Sequence, residues 1–339
     1  NILIEAQNNS LVLSATDMDI SITEKINCNV IEEGSTTVTA HTLYDIIRKL
    51  PESSEIEIIS NDGKIMSLRA GKSKFSLSCL LKDDFPIIEI GDLENEISIE
   101  SLKLFKLIDK TRFAVSNEET RYFLNGIYFH KIESDNQNYL SLVATDGHRL
   151  AKFDCEYDDS IKDIPGVIIP KKTVNELYKL LSDFDGLVKI NVNSNKIIFF
   201  VGESILISKL IDGKFPNYIQ VIPKNNQKKL EVNLKSFLNS VDRVASVSLD
   251  KKDGVKFTLT KDNLDLSVNN TNSGDGKETL VVNFEHDLEI SFNSRYLIDV
   301  ASQLDGEKIE LFLNDTGSPA LIKDPGDFDS IFVVMPMKG

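Results

Sequence analysis

The feature that most restricts the fold is a threefold internal recurrence. An apolar spacing of i, i+3, i+4, i+7 puts four residues on one face of a helix. It occurs at Leu43, Ile46, Ile47 and Leu50, at Val174, Leu177, Tyr178 and Leu181, and at Leu297, Val300, Ala301 and Leu304. An alternating, strand-like run follows each copy: Glu55–Ile58, Val188–Val192 and Lys308–Phe312. A further run headed by an aromatic residue closes each copy and reads as a strand, beginning at Phe85, Phe215 and Phe328. The period, roughly 125 residues, is the size of a domain and not of a solenoid repeat. A chain of 339 residues then holds three domains of one design, at 1–93, 94–222 and 223–339.

The second and third copies each open with another amphipathic helix, near Ser101–Arg112 and Leu234–Val244. Each precedes its copy's later helix by about 60–70 residues. Projected back from Leu43, that interval falls before Asn1, so the first copy is expected to lack its opening strand and helix here. Between the helices the chain is mostly short alternating runs such as Met66–Arg69, Phe75–Ser78 and Ile197–Phe200. Many short strands with few helices predict an α+β class of antiparallel sheets carrying helices on one face. Polar linkers are expected near Gly91–Glu94 and Pro223–Asn226.

One strand-turn-strand pattern is also repeated. Leu142 to Ala151 reads Leu-Val-Ala-Thr-Asp-Gly-His-Arg-Leu-Ala; Leu13 to Ile20 and, more loosely, Leu266 to Thr271 resemble it. Asp146-Gly147 predicts a two-residue hairpin turn with positive φ at both positions. What all three places share is architecture. Gly147-His148-Arg149-Leu150 occurs once, and function is expected there.

Net charge is −15, which taken as a total argues against a nucleic-acid coat. Placement reverses that reading. At about 100° per residue, Lys103, Lys106 and Lys110 form one stripe of their helix, opposite Leu104, Leu107 and Ile108. Arg48 and Lys49, Lys172 and Lys179, and Lys235 and Arg243 occupy the outer faces of the other helices. Acidic residues gather in turns and strand ends such as Asp83-Asp84 and Asp158-Asp159. Repeated basic helix faces in an acidic chain point to one shared surface for a polyanion.

Other classes find little support. Three scattered cysteines and four scattered histidines suggest neither a disulfide framework nor zinc, and fit a reducing cytoplasm. No apolar run approaches a membrane span, and no secretory leader is visible. Gly71-Lys72-Ser73 ends like a P-loop but has Met66 where its first glycine belongs. Asp17-Met18-Asp19 begins like a calcium loop but carries Ile22 at the required glycine. Asp146 and His148 could be half of a hydrolase triad, yet no nucleophile elbow accompanies them. The ending Val333-Val334-Met335-Pro336-Met337 is too apolar to hang in water. Ile331–Val334 should close a sheet, and Met335-Pro336-Met337 should lie past it as a pliable apolar wall.

Four segments resemble the bacterial sliding clamp, the DNA polymerase III beta subunit family. They are Arg121–Ile127, Val143–Ala151, Lys209–Tyr218 and Val333–Met337, and the likeness covers essentially the whole chain. The resemblance implies three clamp domains per subunit, with two subunits closed head to tail so that helices line a hole threaded by duplex DNA. It implies no enzymatic activity and no cofactor, and as partners the polymerase III alpha subunit, the clamp loader and other proteins with a clamp-binding motif. It implies a peptide pocket of Leu124, Thr145, Gly147, His148, Arg149, Leu150, Pro216, Gln220, Val221, Asn293, Tyr296, Val333, Met335, Pro336 and Met337. Arg121 and Tyr122 join the DNA-facing residues, and Phe75 and Leu77 meet Ser246 and Val247 of the second subunit. The sequence departs from familiar clamps at Gln220, where Arg is usual, and at Lys338-Gly339, where Arg-Leu is. The competing readings are a hydrolase using Asp146 and His148, and a structural repeat protein that does not bind DNA.

Overall fold

The computed structural model describes all residues except 61–63, 92–95, 135, 158–163, 249–253, 272 and 338–339. The 92–94 part of the first expected linker, Asp158-Asp159 and Lys338-Gly339 therefore lie outside the described residues. Five α-helices occur among those described: α1 (Ala40–Ile47), α2 (Ser101–Arg112), α3 (Lys171–Ser182), α4 (Leu234–Ala245) and α5 (Ser294–Ala301). On α1 only Leu43 of the periodic apolar face is buried, while on the other helices most of that face is. On α4 the buried residues are Phe237, Ser240, Val241 and Val244, and on α5 they are Ser294, Leu297, Val300 and Ala301. Side-chain caps start both helices. Asn233 Oδ1 accepts from Ser236 N (2.9 Å), and Asn293 Oδ1 accepts from Arg295 N (3.0 Å). Each cap satisfies a helix N–H that has no intrahelical partner.

Two compact units contain the strands. One holds an eleven-stranded sheet. Its strand order is Ile56–Ser60, Ile65–Ala70, Ser73–Leu80, Gly34–Val38, Ile2–Gln7, Ser10–Thr16, Ile20–Asn27, Ser204–Lys209, Lys196–Val201, Leu187–Val192, Glu96–Glu100. The helix α1 covers this sheet through Leu43, packed among Ile4, Val38, Met66, Leu68 and Cys79. The other unit holds an eight-stranded sheet in the order Val167–Pro170, Gly126–Ser134, Gln137–Thr145, Arg149–Glu156, Asp327–Val334, Ala320–Asp324, Lys308–Leu313, Lys228–Asn233. It also holds a four-stranded sheet, Gly274–Val281, Asn263–Asn270, Gly254–Thr260, Leu288–Asn293. All pairings are antiparallel.

Strand pairing passes from one repeat to the next. The second strand of the first hairpin, Ile20–Asn27, pairs with Ser204–Lys209, the last strand of the second repeat. The second strand of the next hairpin, Arg149–Glu156, pairs with Asp327–Val334, the last strand of the third. In the third repeat the equivalent strand, Gly274–Val281, ends its sheet, paired on one side only among the described residues. The last strand of the first repeat, Ser73–Leu80, pairs fully with Ile65–Ala70 but meets Gly34–Val38 only at Cys79 and Leu80.

Two expectations need correction. Of the three aromatic-headed closing strands only the one containing Phe328 is a strand. Phe85–Ile87 is irregular, and Phe215–Asn217 leads into a 3-10 turn at Tyr218–Gln220. Pro86 and Pro216 supply no N–H for a ladder; the closing strands of the first two repeats are instead Ser73–Leu80 and Ser204–Lys209. The looser third copy of the strand-turn-strand pattern, Leu266 to Thr271, is unbroken strand through Asn270, because Asn269 and Asn270 pair with Asp275 and Gly274.

Candidate functional site

The hairpin at Asp146-Gly147 is closed by side chains. Thr145 lies opposite Leu150, so four residues form the reversal. Asp146 Oδ1 accepts from His148 N (2.9 Å) and Arg149 N (3.0 Å). Thr145 Oγ1 donates to Arg149 O (2.6 Å) and accepts from Gly147 N (3.0 Å). Only Gly147 has positive φ, at 88°. The two-residue turn is thus overturned: the aspartate bonds replace the second left-handed residue. Thr16 and Asp17 make the same four bonds. Thr16 Oγ1 donates to Ile20 O (2.8 Å) and accepts from Met18 N (3.0 Å), while Asp17 Oδ1 accepts from Asp19 N (3.0 Å) and Ile20 N (2.9 Å). Met18 sits at φ 79°, where Gly147 sits in the other copy. Gly147 has a second constraint, since a β-carbon there would come within 2.4 Å of Arg121 Nη1.

Arg149, expected among the pocket residues, is buried. Its Nη1 donates to Asp299 Oδ2 (2.5 Å), its Nε to Asp146 Oδ2 (3.1 Å), and its Nη2 to Phe113 O (2.8 Å) just past the end of α2. The guanidinium lies 5.1 Å from the Phe113 ring and 4.6 Å from that of Tyr296. A planar fork with this many partners is a strut and not a free recognition group. It also spends Asp146. That carboxylate holds two backbone amides and Arg149, and its bond to His148 is to the backbone N, so no Asp-His relay exists. Burial raises the Tyr296 phenol above its ordinary pKa, and Asp146 adds to this.

The tail joins the same neighbourhood. Leu150 pairs with Val333 and Arg149 with Val334. Beyond the sheet Met335 N donates to His148 O (2.8 Å) and Met337 N to Ser291 O (2.8 Å). The Met337 sulfur packs over Gly254, 3.0 Å from where a β-carbon would stand. His148 lies against Tyr296, ring centroids 6.3 Å apart. Leu124, Leu150 and Val333 are buried in one cluster with Val143, Ile168, Phe215 and Tyr218. Leu150 and Val333, expected in the pocket, are therefore interior; Val221 (43% exposed) and Met337 (37%) reach solvent. Gly147, His148, Pro216 and Gln220 are exposed, and Thr145, Met335, Pro336 and Tyr296 half-buried. Asn293 caps α5 with its carbonyl. Asp299, Phe113 and Tyr218 were not foreseen; only the i, i+3 spacing of Tyr296 and Asp299 on α5 hinted at one of them.

The helix cations divide into groups. Lys49, Lys103, Lys106, Lys172 and Lys235 are exposed. Arg48, Arg121, Lys179 and Arg243 pair with Asp45, Glu118, Glu176 and Glu278. The Arg121 guanidinium holds the Glu118 carboxyl below its usual pKa. Tyr122 is exposed. Lys110 is a correction: it is 4% exposed, and its ammonium donates to Asp305 (2.7 Å) and to the Gln303 carbonyl. A helix wheel places it on the outer stripe, but the segment after α5 covers that point. Phe75 and Leu77 are half-buried on Ser73–Leu80, Ser246 is exposed and Val247 half-buried beside Gly276. Among the described residues there is no cluster of three or more metal-ligating side chains, and no helix is long and apolar enough to cross a membrane.

Three antiparallel-sheet repeats that hand strands to one another, with basic helices and a tail docked on a hairpin, define the class of three-domain clamps. The chain belongs to the DNA polymerase III beta subunit family, whose N-terminal, central and C-terminal domains match residues 1–89, 98–217 and 219–338. The beta sliding clamp of Caulobacter vibrioides is 39% identical over 340 residues, spanning 100% of this chain and 91% of its own length. That of Escherichia coli K12 is 35% identical with the same coverage. The crystal structure of the DnaN sliding clamp from Bartonella birtlesii bound to griselimycin aligns at a TM-score of 0.97 and 45% identity, covering 100% of this chain and 91% of that one. The polymerase III beta subunit of Pseudomonas aeruginosa aligns at 0.94 and 34%, covering 100% and 92%. The function that goes with this membership is that of a DNA-replication processivity factor.

Proposed function

We propose that two copies of this chain close head to tail into a cytoplasmic ring that encircles duplex DNA without catalysing a reaction, each copy built of domains 1–93, 94–222 and 223–339. One observation carries the reading. Pairing passes from the first repeat to the second and from the second to the third, which among the described residues leaves one side of Gly274–Val281 and most of one side of Ser73–Leu80 open. Two complementary open edges on one chain make a heterologous contact, and a ring is its closed form. Phe75 and Leu77 lie on one edge, and Val247 lies against Gly276 on the other. Lys49, Lys103, Lys106, Lys172 and Lys235, with Arg48, Arg121, Tyr122, Lys179 and Arg243, would face the DNA. Exposed ion pairs are worth little in water, so the paired cations can exchange carboxylate for phosphate.

The hairpin, the turn at Tyr218–Gln220 and the tail form the tether. Val221, Met335, Pro336 and Met337 offer apolar contact, and Thr145, Gly147, His148, Gln220 and Tyr296 a polar rim. An extended motif with a Gln and Leu or Phe anchors, on the polymerase alpha subunit, the clamp loader or another partner, would bind there with micromolar affinity, roughly −8 kcal/mol. Retention on DNA tests the ring. Loaded protein should stay on closed circular DNA and run off after linearisation, and the free protein should have the mass of a dimer. Equal retention on both forms would refute encirclement.

A further inference from the structure

The segment Phe215–Val221 alternates between interior and surface. Phe215 and Tyr218 are buried, while Pro216, Asn217, Ile219, Gln220 and Val221 are exposed. Its backbone does little to hold itself. Asn217 makes no side-chain cap on the 3-10 turn, and the turn's own bonds are Val221 N to Tyr218 O (3.0 Å) and Gln220 N to Asn217 O (3.4 Å). The order comes from the strand Gly126–Ser134. Tyr128 and His130 are two residues apart on it and share a face. Phe215 stacks on Tyr128 (centroids 5.0 Å apart, planes at 6°), and Tyr128 stacks on His130 (4.2 Å, 20°). His130 meets Tyr218 edge-on (5.6 Å, 70°), and its Nε2 is 2.9 Å from the Tyr218 hydroxyl. Four rings thus fix both buried ends of the four-residue span Phe215–Tyr218. Gly166 makes room for the clamp, since a β-carbon there would fall 2.3 Å from the Tyr128 hydroxyl.

Resting on the proposal that Val221 and Gln220 border a peptide groove, we infer that His130 and Tyr128 are positioning residues for that groove: they fix the turn that presents Ile219, Gln220 and Val221 to an extended peptide. The geometry fits one task. The buried phenol bonds the buried imidazole at Nε2, so that bond sets where the turn starts, and a turn set in advance spares the ligand the cost of ordering it. Burial holds His130 down to about 4, so the ring is neutral and has one proton to share with its partners at ordinary pH.

The test uses a fluorescein-labelled six-residue peptide with one Gln and Leu and Phe anchors, titrated by anisotropy against the full chain. Tyr218→Phe removes the hydroxyl and keeps the ring. It should weaken binding about three- to tenfold, mostly through faster release, with circular dichroism and dimer mass unchanged. His130→Phe should do the same, and His130→Gln, which keeps a group able to reach the hydroxyl, should recover much of the loss. In an Ile219→Ala, Val221→Ala background Tyr218→Phe should cost nothing more, because the part it positions is gone. Wild-type affinity in Tyr218→Phe, or an undiminished loss in that background, overturns the inference. A wild-type chain that does not bind the peptide overturns the groove itself, and the positioning role with it.

Discussion

Replacing Arg149 by Leu should destabilise the unit that contains it by about 3 kcal/mol. The guanidinium is 9% exposed and links Asp146, Asp299 and the Phe113 carbonyl. Breaking a buried charge pair from one side costs about 3–5 kcal/mol when the survivor is sealed from water. Here Asp299 keeps 30% and Asp146 17% of its side-chain exposure, so solvent recovers part of that and about 2–3 kcal/mol remains. Lost stacking on Phe113 and Tyr296 adds roughly 0.5–1 kcal/mol, partly offset by the new Leu side chain. At about 2–4 °C per kcal/mol for a body of 150–250 residues, the melting transition should fall by about 6–12 °C. Arg149→Lys keeps the charge but not the fork and should cost about half as much. Asp299→Asn leaves a neutral acceptor and should cost about 1 kcal/mol. Urea titration of the three variants, with calorimetry, gives the ranking. A loss below 1 kcal/mol for Arg149→Leu, or a larger loss for Asp299→Asn, would show that the buried fork is not what joins the hairpin to α5.

Charge reversal of Lys103 and Lys106 should shorten retention on circular DNA and lower its salt dependence, whereas Lys110→Met should leave retention alone and lower stability, since its partner is Asp305. Met18→Gly should stabilise the first hairpin by about 1 kcal/mol, and Gly147→Ala should cost at least that and displace Arg121; urea midpoints decide both. Leu77→Asp, which puts a charge in the proposed subunit contact, should give a folded monomer by sedimentation, and a persistent dimer would move the interface elsewhere. Removal of Met335 to Gly339 should abolish peptide binding while the dimer and its hold on circular DNA survive. His130 contributes a pH signature: its imidazole is held down to about 4 in the folded chain by burial, which Asp154 partly opposes, against about 6.5 unfolded. Its contribution is therefore whole above pH 6.5, is lost as pH falls towards 4, and is level below. His130→Phe should flatten that part of the stability profile relative to wild type.

The helices were legible because their apolar faces are local. Every repeat of the i, i+3, i+4, i+7 spacing became a helix, and the recurrence itself gave the domain design. The aromatic-headed runs misled because Phe85 and Phe215 each precede a proline, which has no N–H to give a ladder, something hydrophobicity does not register. The neighbourhood of hairpin and tail was legible from composition, since an apolar end must dock and only one hairpin carried unusual residues. The behaviour of its charged groups was not. Arg149 meets Asp299 across 150 residues of sequence, and Lys110 meets Asp305 across 195. A helix wheel or a strand pattern reads exposure from one element, and these two cations are buried by another. His130 and Tyr218 escaped for the same reason, lying 88 residues apart.

The two hairpins closed by Thr16-Asp17 and Thr145-Asp146 have a consequence for how such a chain can change. Four bonds, all within five residues, seal each loop, and the rest of the fold adds one backbone bond to each, Lys209 N to Asp19 O and Met335 N to His148 O. The side chains at the second and third loop positions take no part in the seal: Met18 and Asp19 in one copy, Gly147 and His148 in the other. A loop that locks itself is a fixture whose working face can be replaced without loosening the mount. After duplication of such a module, one copy can acquire a recognition surface while its sibling serves only as structure, and neither sheet registers the difference. Grafting Gly-His onto Met18-Asp19 should accordingly leave the first hairpin folded with its register intact.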